Sequence, residues 1–107
     1  MAGPAYRIVY APIAEAQIEA ALLWWERNRR QSPALLAREI EAALDQLEVV
    51  PQAGRRVLLR GHPDARRLLL PRTRYHVYYV IADAERDVRV VYFRHGRRRP
   101  LQTSTTR

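Results

Sequence analysis

The segment RRLLLPRTRYHVYYVIADAERDVRVVYFR, residues 66–94, decides the fold class because it holds three runs of strand-forming residues. Residues 66–70, 74–82 and 88–94 are rich in β-branched and aromatic side chains, which favour extended backbone. The polar residues 83–87 separate the last two runs and predict a hairpin connection. The second half of the chain is therefore predicted to form three neighbouring antiparallel strands.

The first half predicts two helices. Apolar residues at helical spacing run from Pro12, which suits a first helical turn, to about Arg30. A second helix is predicted with Ser32 as its N-cap and Pro33 at its first position, and it should end before Pro51. Because only a residue or two would separate the helices, they should fold back as an antiparallel hairpin.

The remaining segments complete an α+β domain that spans residues 1–107. Residues 6–10 predict an N-terminal strand, residues 57–59 a short strand and residues 61–64 a turn. Residues 96–107 are expected to be a basic, flexible tail. The helical hairpin should pack on one face of a small, mainly antiparallel sheet of three to four strands, because helices must bury their apolar stripes. The opposite face would then be available for arginine and tyrosine side chains.

Positive charge is concentrated in the second half of the chain. Residues 1–53 hold five Arg and seven acids, a balance of −2, whereas residues 54–107 hold fourteen Arg and four acids, a balance of +10. Such a field should attract nucleic acid or an acidic protein, although a basic surface can also serve solubility. All nineteen basic residues are Arg, which binds phosphates and carboxylates well but is a poor proton shuttle. A GC-rich genome would produce the same bias without selection for function.

Several classes of protein are disfavoured by what the sequence lacks. There is no Cys, which excludes disulfides, thiolate nucleophiles and cysteine-based metal sites and suits a reducing compartment. No signal peptide and no apolar run of about 18 residues is visible, so a soluble, cytoplasmic protein without membrane contact is expected. The three His have no metal-ligand spacing, and no cofactor or metal is predicted.

Four pieces of sequence, in this order and spacing, resemble the ParE/RelE superfamily of type II toxin–antitoxin toxins. They are ALLWWERNRR at residues 21–30, VVPQAGRR at 49–56, RRLLLPRTRYHVYYVI at 66–81 and VRVVYFRHGRRRP at 88–100. The arginine, apolar run, proline and spaced tyrosines, followed by a strand that ends near a histidine, look like the ParE branch. The resemblance covers residues 6 to about 100 and implies the RelE/ParE-like fold.

The resemblance implies a growth-inhibiting toxin with a cognate antitoxin, whose acidic or amphipathic segment masks it in a hetero-oligomer. ParE-like members poison DNA gyrase, whereas RelE-like members are ribosome-dependent mRNA endonucleases (mRNA interferases). We favour the gyrase inhibitor, which need not be an enzyme, because the chain has no Lys and no aromatic residue after Arg94. An inactivated, non-enzymatic antitoxin-binding module is a further alternative.

If the protein were RelE-like, the resemblance would assign the chemistry to a small basic set. RNA cleavage needs a base for the 2′-hydroxyl, stabilisation of the phosphate and an acid for the leaving oxygen. The candidate catalytic residues are Arg67, Arg72, Arg94 and His95. His95 has a pKa suited to proton transfer, although the same histidine occurs in ParE-like endings without a catalytic role. His76 and His62 are interpreted as structural or solvent-facing.

If the protein acts by binding a partner, a different set of candidate residues is expected. Trp25 continues the core stripe of the first helix, so Trp24 lies about 100° away and either packs on the second helix or is exposed as an anchor. The tyrosines of residues 75–92 are divided between the core and the outer face, and periodicity does not say which face outward. The candidate partner-binding residues are Trp24, Arg27, Arg29, Arg30, Arg74, Tyr75, Arg97, Arg98 and Arg99.

Overall fold

Two helices lie on a five-stranded mixed sheet in the computed structural model, which describes residues 5–97. The helices are α1 (Pro12–Asn28) and α2 (Leu35–Val49). The strands are β1 (Arg7–Tyr10), β2 (Arg55–Arg56), β3 (Arg66–Leu69), β4 (Tyr75–Ala82) and β5 (Asp87–His95). Short 3-10 helices at Pro51–Ala53 and Asp83–Glu85 follow α2 and connect β4 to β5. The predicted α+β class is confirmed, with one strand more than the three to four expected.

The sheet has the order β1-β5-β4-β3-β2. β1 pairs with β5 in parallel, and the other three pairings are antiparallel. A β-bulge shifts the β4–β5 register between Tyr78 and Tyr79, so that Tyr78 faces Tyr92 and Tyr79 faces Val90. The chain thus places its first strand at one edge, and the basic pair Arg55–Arg56 at the other.

The main core lies between the helices and one face of the sheet. Strand residues alternate between the two faces, so Tyr75, Val77 and Tyr79 of β4 point toward the helices, where all three are buried. They pack with buried residues of α1 and α2, among them Trp25 and Leu36. The helical hairpin therefore covers one face of the sheet, as the sequence predicts.

The opposite face, which we call the outer face, is not open throughout. The segment of residues 57–65 crosses it and buries Leu59 and Ala65 against Tyr78 and Val91. The prediction of a strand at residues 57–59 is therefore wrong. These residues form no strand: Val57 and Leu59 pack into a second small core on the outer face, Leu58 is exposed, and the paired residues are Arg55 and Arg56 instead.

The start of α2 also differs from the prediction. Ser32 is not an N-cap, and α2 begins at Leu35 after a turn that includes Pro33. The Ser32 carbonyl accepts hydrogen bonds from Trp25 Nε1 at 2.9 Å and from the Leu35 amide at 3.2 Å. Ser32 thus serves to hold the indole of Trp25, and the connection between the helices spans residues 29–34 rather than one or two residues.

Among residues 5–97, no helix combines the length and the apolar character needed to cross a membrane.

Candidate functional site

Two rows of cross-strand partners define the chemistry of the outer face. In the first row Arg55 faces Arg67, Arg67 faces Tyr78, and Tyr78 faces Tyr92. In the second row, nearer the end of β5, Leu69 faces His76 and His76 faces Arg94. Directly opposed side chains in a sheet have Cβ atoms about 4.5–5.5 Å apart.

Arg67, His76 and Arg94 form one basic part of the outer face, and we call these three residues the basic row-end. All three side chains are partly exposed, in contrast to the buried Tyr78. The side-chain ion pairs among residues 5–97 involve other arginines, namely Arg7 with Asp87, Arg56 with Asp64 and Arg89 with Glu85. The basic row-end therefore keeps its charge available for an anion.

The imidazole of His76 differs from an ordinary surface histidine. Partial burial, reinforced by the positive charges of Arg67, Arg74 and His95, lowers the pKa of His76 below its usual value of 6.5. A neutral imidazole that faces Arg94 and has Arg67 nearby can accept a proton while the arginines hold a phosphate. The sequence analysis interpreted His76 as structural or solvent-facing; the structure places it partly exposed on the outer face, where it is a candidate proton acceptor that the sequence analysis did not assign.

The four residues of the nuclease hypothesis do not share one face. Arg67 and Arg94 belong to the basic row-end. His95 faces Tyr75 across the β4–β5 ladder, and their rings meet edge to face at 5.0 Å, on the helix-facing side. Arg72 lies on the turn between β3 and β4. The expected set is thus divided, and it is His76, not His95, that lies on the outer face opposite Arg94.

The β3–β4 turn is held by a carboxylate from α2. Glu39 accepts hydrogen bonds from the Arg72 amide at 2.7 Å, from the Thr73 amide at 2.9 Å and from Thr73 Oγ1 at 2.7 Å. The next residue, Arg74, has a left-handed backbone with φ of 69°, which is uncommon for a residue other than glycine. Glu39 therefore fixes the turn that presents the exposed residues Arg72 and Arg74.

Hydrogen bonds from Tyr79 and Arg66 attach the loop after α2 to the sheet. The hydroxyl of the fully buried Tyr79 donates to the Pro51 carbonyl at 2.6 Å and accepts from the Gly54 amide at 2.8 Å. Arg66 Nη1 donates to the Gly54 carbonyl at 2.8 Å. A Cβ on Gly54 would lie 2.6 Å from the Tyr79 hydroxyl, so glycine is required by close packing. These contacts give residues 49–56 a structural role, which is to lead the chain from α2 into β2.

A second candidate surface lies at the C-terminal end of α1. Trp24 is 46% exposed, whereas Trp25 is buried. The guanidinium of Arg29 lies over the Trp24 ring at 4.9 Å from its centroid, a cation–π arrangement. We give the name helix-end patch to five of the exposed residues at and just after this end of the helix: Leu23, Trp24, Arg27, Arg29 and Arg30.

The other predicted partner-binding residues are placed differently. Tyr75 is buried, with its ring stacked on Phe93 at 5.0 Å and edge-on to Trp25, so the prediction that it binds a partner is wrong. Arg97 is exposed immediately after β5. Arg98 and Arg99 lie outside the described residues, as does most of the predicted tail. The outward tyrosines are Tyr78, which the segment 57–65 covers, and Tyr92, which stays partly exposed.

No group of three or more acidic or histidine side chains suited to a metal ion occurs within residues 5–97. The site that the described residues form is cationic and suits anions instead.

Comparison with known proteins places the fold in a family. The sequence profile of the ParE toxin of type II toxin–antitoxin systems (parDE) matches residues 8–100. No curated protein matches the chain significantly.

Solved structures give the same fold. A chain of the intact E. coli RelBE toxin–antitoxin complex matches with a TM-score of 0.62 and 20% identity, covering 88% of this chain and 100% of that one. A chain of the RelBE2 toxin–antitoxin complex of Mycobacterium tuberculosis matches with a TM-score of 0.60 and 20% identity, covering 85% of this chain and 98% of that one. Since the family match spans nearly the whole described domain, the protein belongs to the ParE toxin family of type II toxin–antitoxin systems.

Proposed function

We propose that this protein inhibits growth by binding and poisoning DNA gyrase, and that a cognate antitoxin neutralises it in the cytoplasm. The single observation that carries the proposal is the division of the nuclease set, since His95 lies on the helix-facing side and Arg94 on the outer face. A set that is split across the sheet supports action by binding rather than by chemistry with those residues.

The helix-end patch is the surface that we assign to the target. An exposed tryptophan beside arginines is the composition typical of binding hot spots, because such side chains bury much area and hold charge. Asn28 Nδ2 donates to the Trp24 carbonyl at 2.8 Å and Arg29 covers the indole, so the patch is ordered before it meets a partner. Preformed patches lose less entropy on binding.

The antitoxin is assigned a different surface. The basic row-end together with Arg97 suits an acidic segment, because opposite charges speed encounter and fix register. The matched structures are complexes of a toxin with its antitoxin, which supports a hetero-oligomer in the same family fold.

The cellular response to induction tests the proposal. Expression without antitoxin should cause filamentation and a DNA-damage response while translation continues. Trp24→Ala should relieve growth inhibition, because truncation of a hot-spot tryptophan costs about 2 kcal/mol or more, roughly a thirtyfold loss of affinity. The matched control is Leu58→Ala, since Leu58 is 81% exposed and lies on the outer-face segment. Immediate translation arrest, or equal toxicity of the Trp24 and Leu58 variants, would overturn the proposal.

One observation favours a second function, ribosome-dependent mRNA cleavage. The basic row-end places His76, with its lowered pKa, opposite Arg94 and near Arg67, which is a geometry able to hold a phosphate and accept a proton. In this alternative Arg94→Ala and His76→Gln abolish cutting, whereas Trp24→Ala does not. Mapping of mRNA ends after induction distinguishes the two functions, because a gyrase poison leaves transcripts uncut.

A further inference from the structure

A groove on the helical side of the molecule is apolar with an acidic rim, whereas the chain as a whole is basic. It has a volume of about 340 Å³ and lies where β1, α1 and α2 meet. Its walls include the apolar side chains of Ile8, Tyr10, Leu22 and Leu44. Tyr10 is 39% exposed, and the other three are partly buried, so the groove presents apolar surface to solvent.

The rim of this groove is acidic. Glu41, Asp45 and Glu48 line it and follow one another along one side of α2, at spacings of four and three residues. The burial of Tyr10 and the nearby carboxylates of Glu15 and Glu48 raise the pKa of the Tyr10 phenol, which is consistent with negative charge near the Tyr10 end of the groove.

The rim is acidic while the chain as a whole is basic, so the rim discriminates between peptides of opposite charge. The chain carries a net charge of +8, yet among residues 5–97 no basic side chain lines the groove. Arg38 lies on the same side of α2, one turn before Glu41, and is not among the lining residues. An anionic peptide that the basic row-end attracts is repelled here, whereas a cationic one is attracted.

We infer that the groove binds a basic amphipathic segment of a polypeptide partner, with apolar side chains seated on Ile8, Leu22 and Leu44 and Arg or Lys side chains reaching the carboxylates. The acidic rim favours a positively charged partner. The apolar walls supply the buried area that a surface ion pair alone does not provide. No residue that lines the groove belongs to the helix-end patch or to the basic row-end, so a partner that covers the groove and the basic row-end must carry a basic stretch in addition to an acidic one.

Two synthetic peptides with the same apolar positions test the inference. One has Arg and the other Glu at its polar positions, and fluorescence anisotropy follows the binding of each to the purified protein. The Arg peptide should bind the unmodified chain. The Glu41→Gln, Asp45→Asn and Glu48→Gln triple variant should weaken it about tenfold or more, since each exposed ion pair contributes about 0.2–1 kcal/mol, roughly a factor of 1.4–5.

Two further variants keep the test decisive. Glu26→Gln, which removes an exposed carboxylate of α1 outside the groove, should leave the affinity within about twofold. Leu44→Ala, with folding checked by circular dichroism, should weaken the Arg peptide and leave any binding of the Glu peptide unchanged. The inference is overturned if the Arg peptide does not bind, or if it binds the triple variant as tightly as the unmodified protein. Because purified protein is used, neither result depends on whether gyrase is the cellular target.

Discussion

Removal of the Tyr79 hydroxyl is expected to lower the free energy of unfolding substantially. Tyr79→Phe keeps the ring in the core but removes the donor to the Pro51 carbonyl and the acceptor of the Gly54 amide. Tyr79, Pro51 and Gly54 are all buried, so water cannot readily replace the lost partner. The loop between α2 and β2 should therefore lose its attachment to the sheet.

The magnitude follows from the two buried groups that are left without a partner. Each buried polar group that loses its hydrogen bond costs about 1–3 kcal/mol. Counting the carbonyl and the amide together, and allowing for partial relaxation of the loop, the free energy of unfolding should fall by about 2–4 kcal/mol. With a urea m-value of about 2 kcal/mol/M, the unfolding midpoint should fall by about 1–2 M.

Urea unfolding of the purified protein, followed by circular dichroism, measures this change. Tyr10→Phe is the matched control, because it removes the same atom from a ring at the exposed edge strand β1 and should change the free energy of unfolding by less than about 0.5 kcal/mol. If Tyr79→Phe were as stable as Tyr10→Phe, the two hydrogen bonds would not hold the loop and the reasoning would be refuted.

Three further predictions concern the supports around the site. Gly54→Ala should lower the free energy of unfolding by about 1–3 kcal/mol in the same assay, because its Cβ would lie 2.6 Å from the Tyr79 hydroxyl; an unchanged midpoint would contradict this. Glu39→Gln should cost about 1.5–3 kcal/mol and speed hydrogen exchange of the Arg72 and Thr73 amides, since the negative charge is lost and an NH2 group replaces one of the two accepting oxygens; unchanged exchange would exclude a role of Glu39 in holding the turn. The lowered pKa of His76 means that the unfolded chain binds a proton more readily than the folded one, so the free energy of unfolding falls as the pH drops below about 6.5. The His76→Gln variant should therefore lose less stability between about pH 7.5 and 5.5 than the unmodified protein. An equal loss would contradict the assignment.

Most of the fold can be predicted from the spacing of apolar and strand-forming residues, because the helices and main strands are long enough to give a clear pattern. The apolar stripe from Ala14 to Trp25 predicts α1 to within two residues of its end, and the β-rich runs predict β3, β4 and β5 to within one residue at each end. Short elements are less determined by the sequence. β2 is only two residues long and both are Arg, which carries no strand signal of its own, so pairing with β3 decides it.

The errors have a common physical cause, which is tertiary contact that overrides a local signal. Ser32 has the chemistry of an N-cap, but its carbonyl is used by the indole of Trp25. Val57 and Leu59 have the composition of a strand, but the outer face offers Tyr78 and Val91 as a place to bury them. Neither contact can be read from spacing alone.

The candidate site was predicted in part. Arg67 and Arg94 were identified from the resemblance, and the sheet brings them to the outer face. His76 was missed because periodicity shows which strand residues share a face but not which face is outward. His95 was chosen because a histidine pKa suits proton transfer, yet His95 and Arg94 are consecutive residues of a strand and therefore point to opposite faces.

Supercoiling by purified DNA gyrase tests the central claim most directly. Increasing amounts of the purified protein should inhibit supercoiling of relaxed plasmid, and Trp24→Ala should require about thirty times more protein than the unmodified chain, whereas Arg94→Ala should inhibit as well as the unmodified chain. Unchanged supercoiling at saturating protein, or loss of inhibition with Arg94→Ala alone, would contradict action by binding through the helix-end patch.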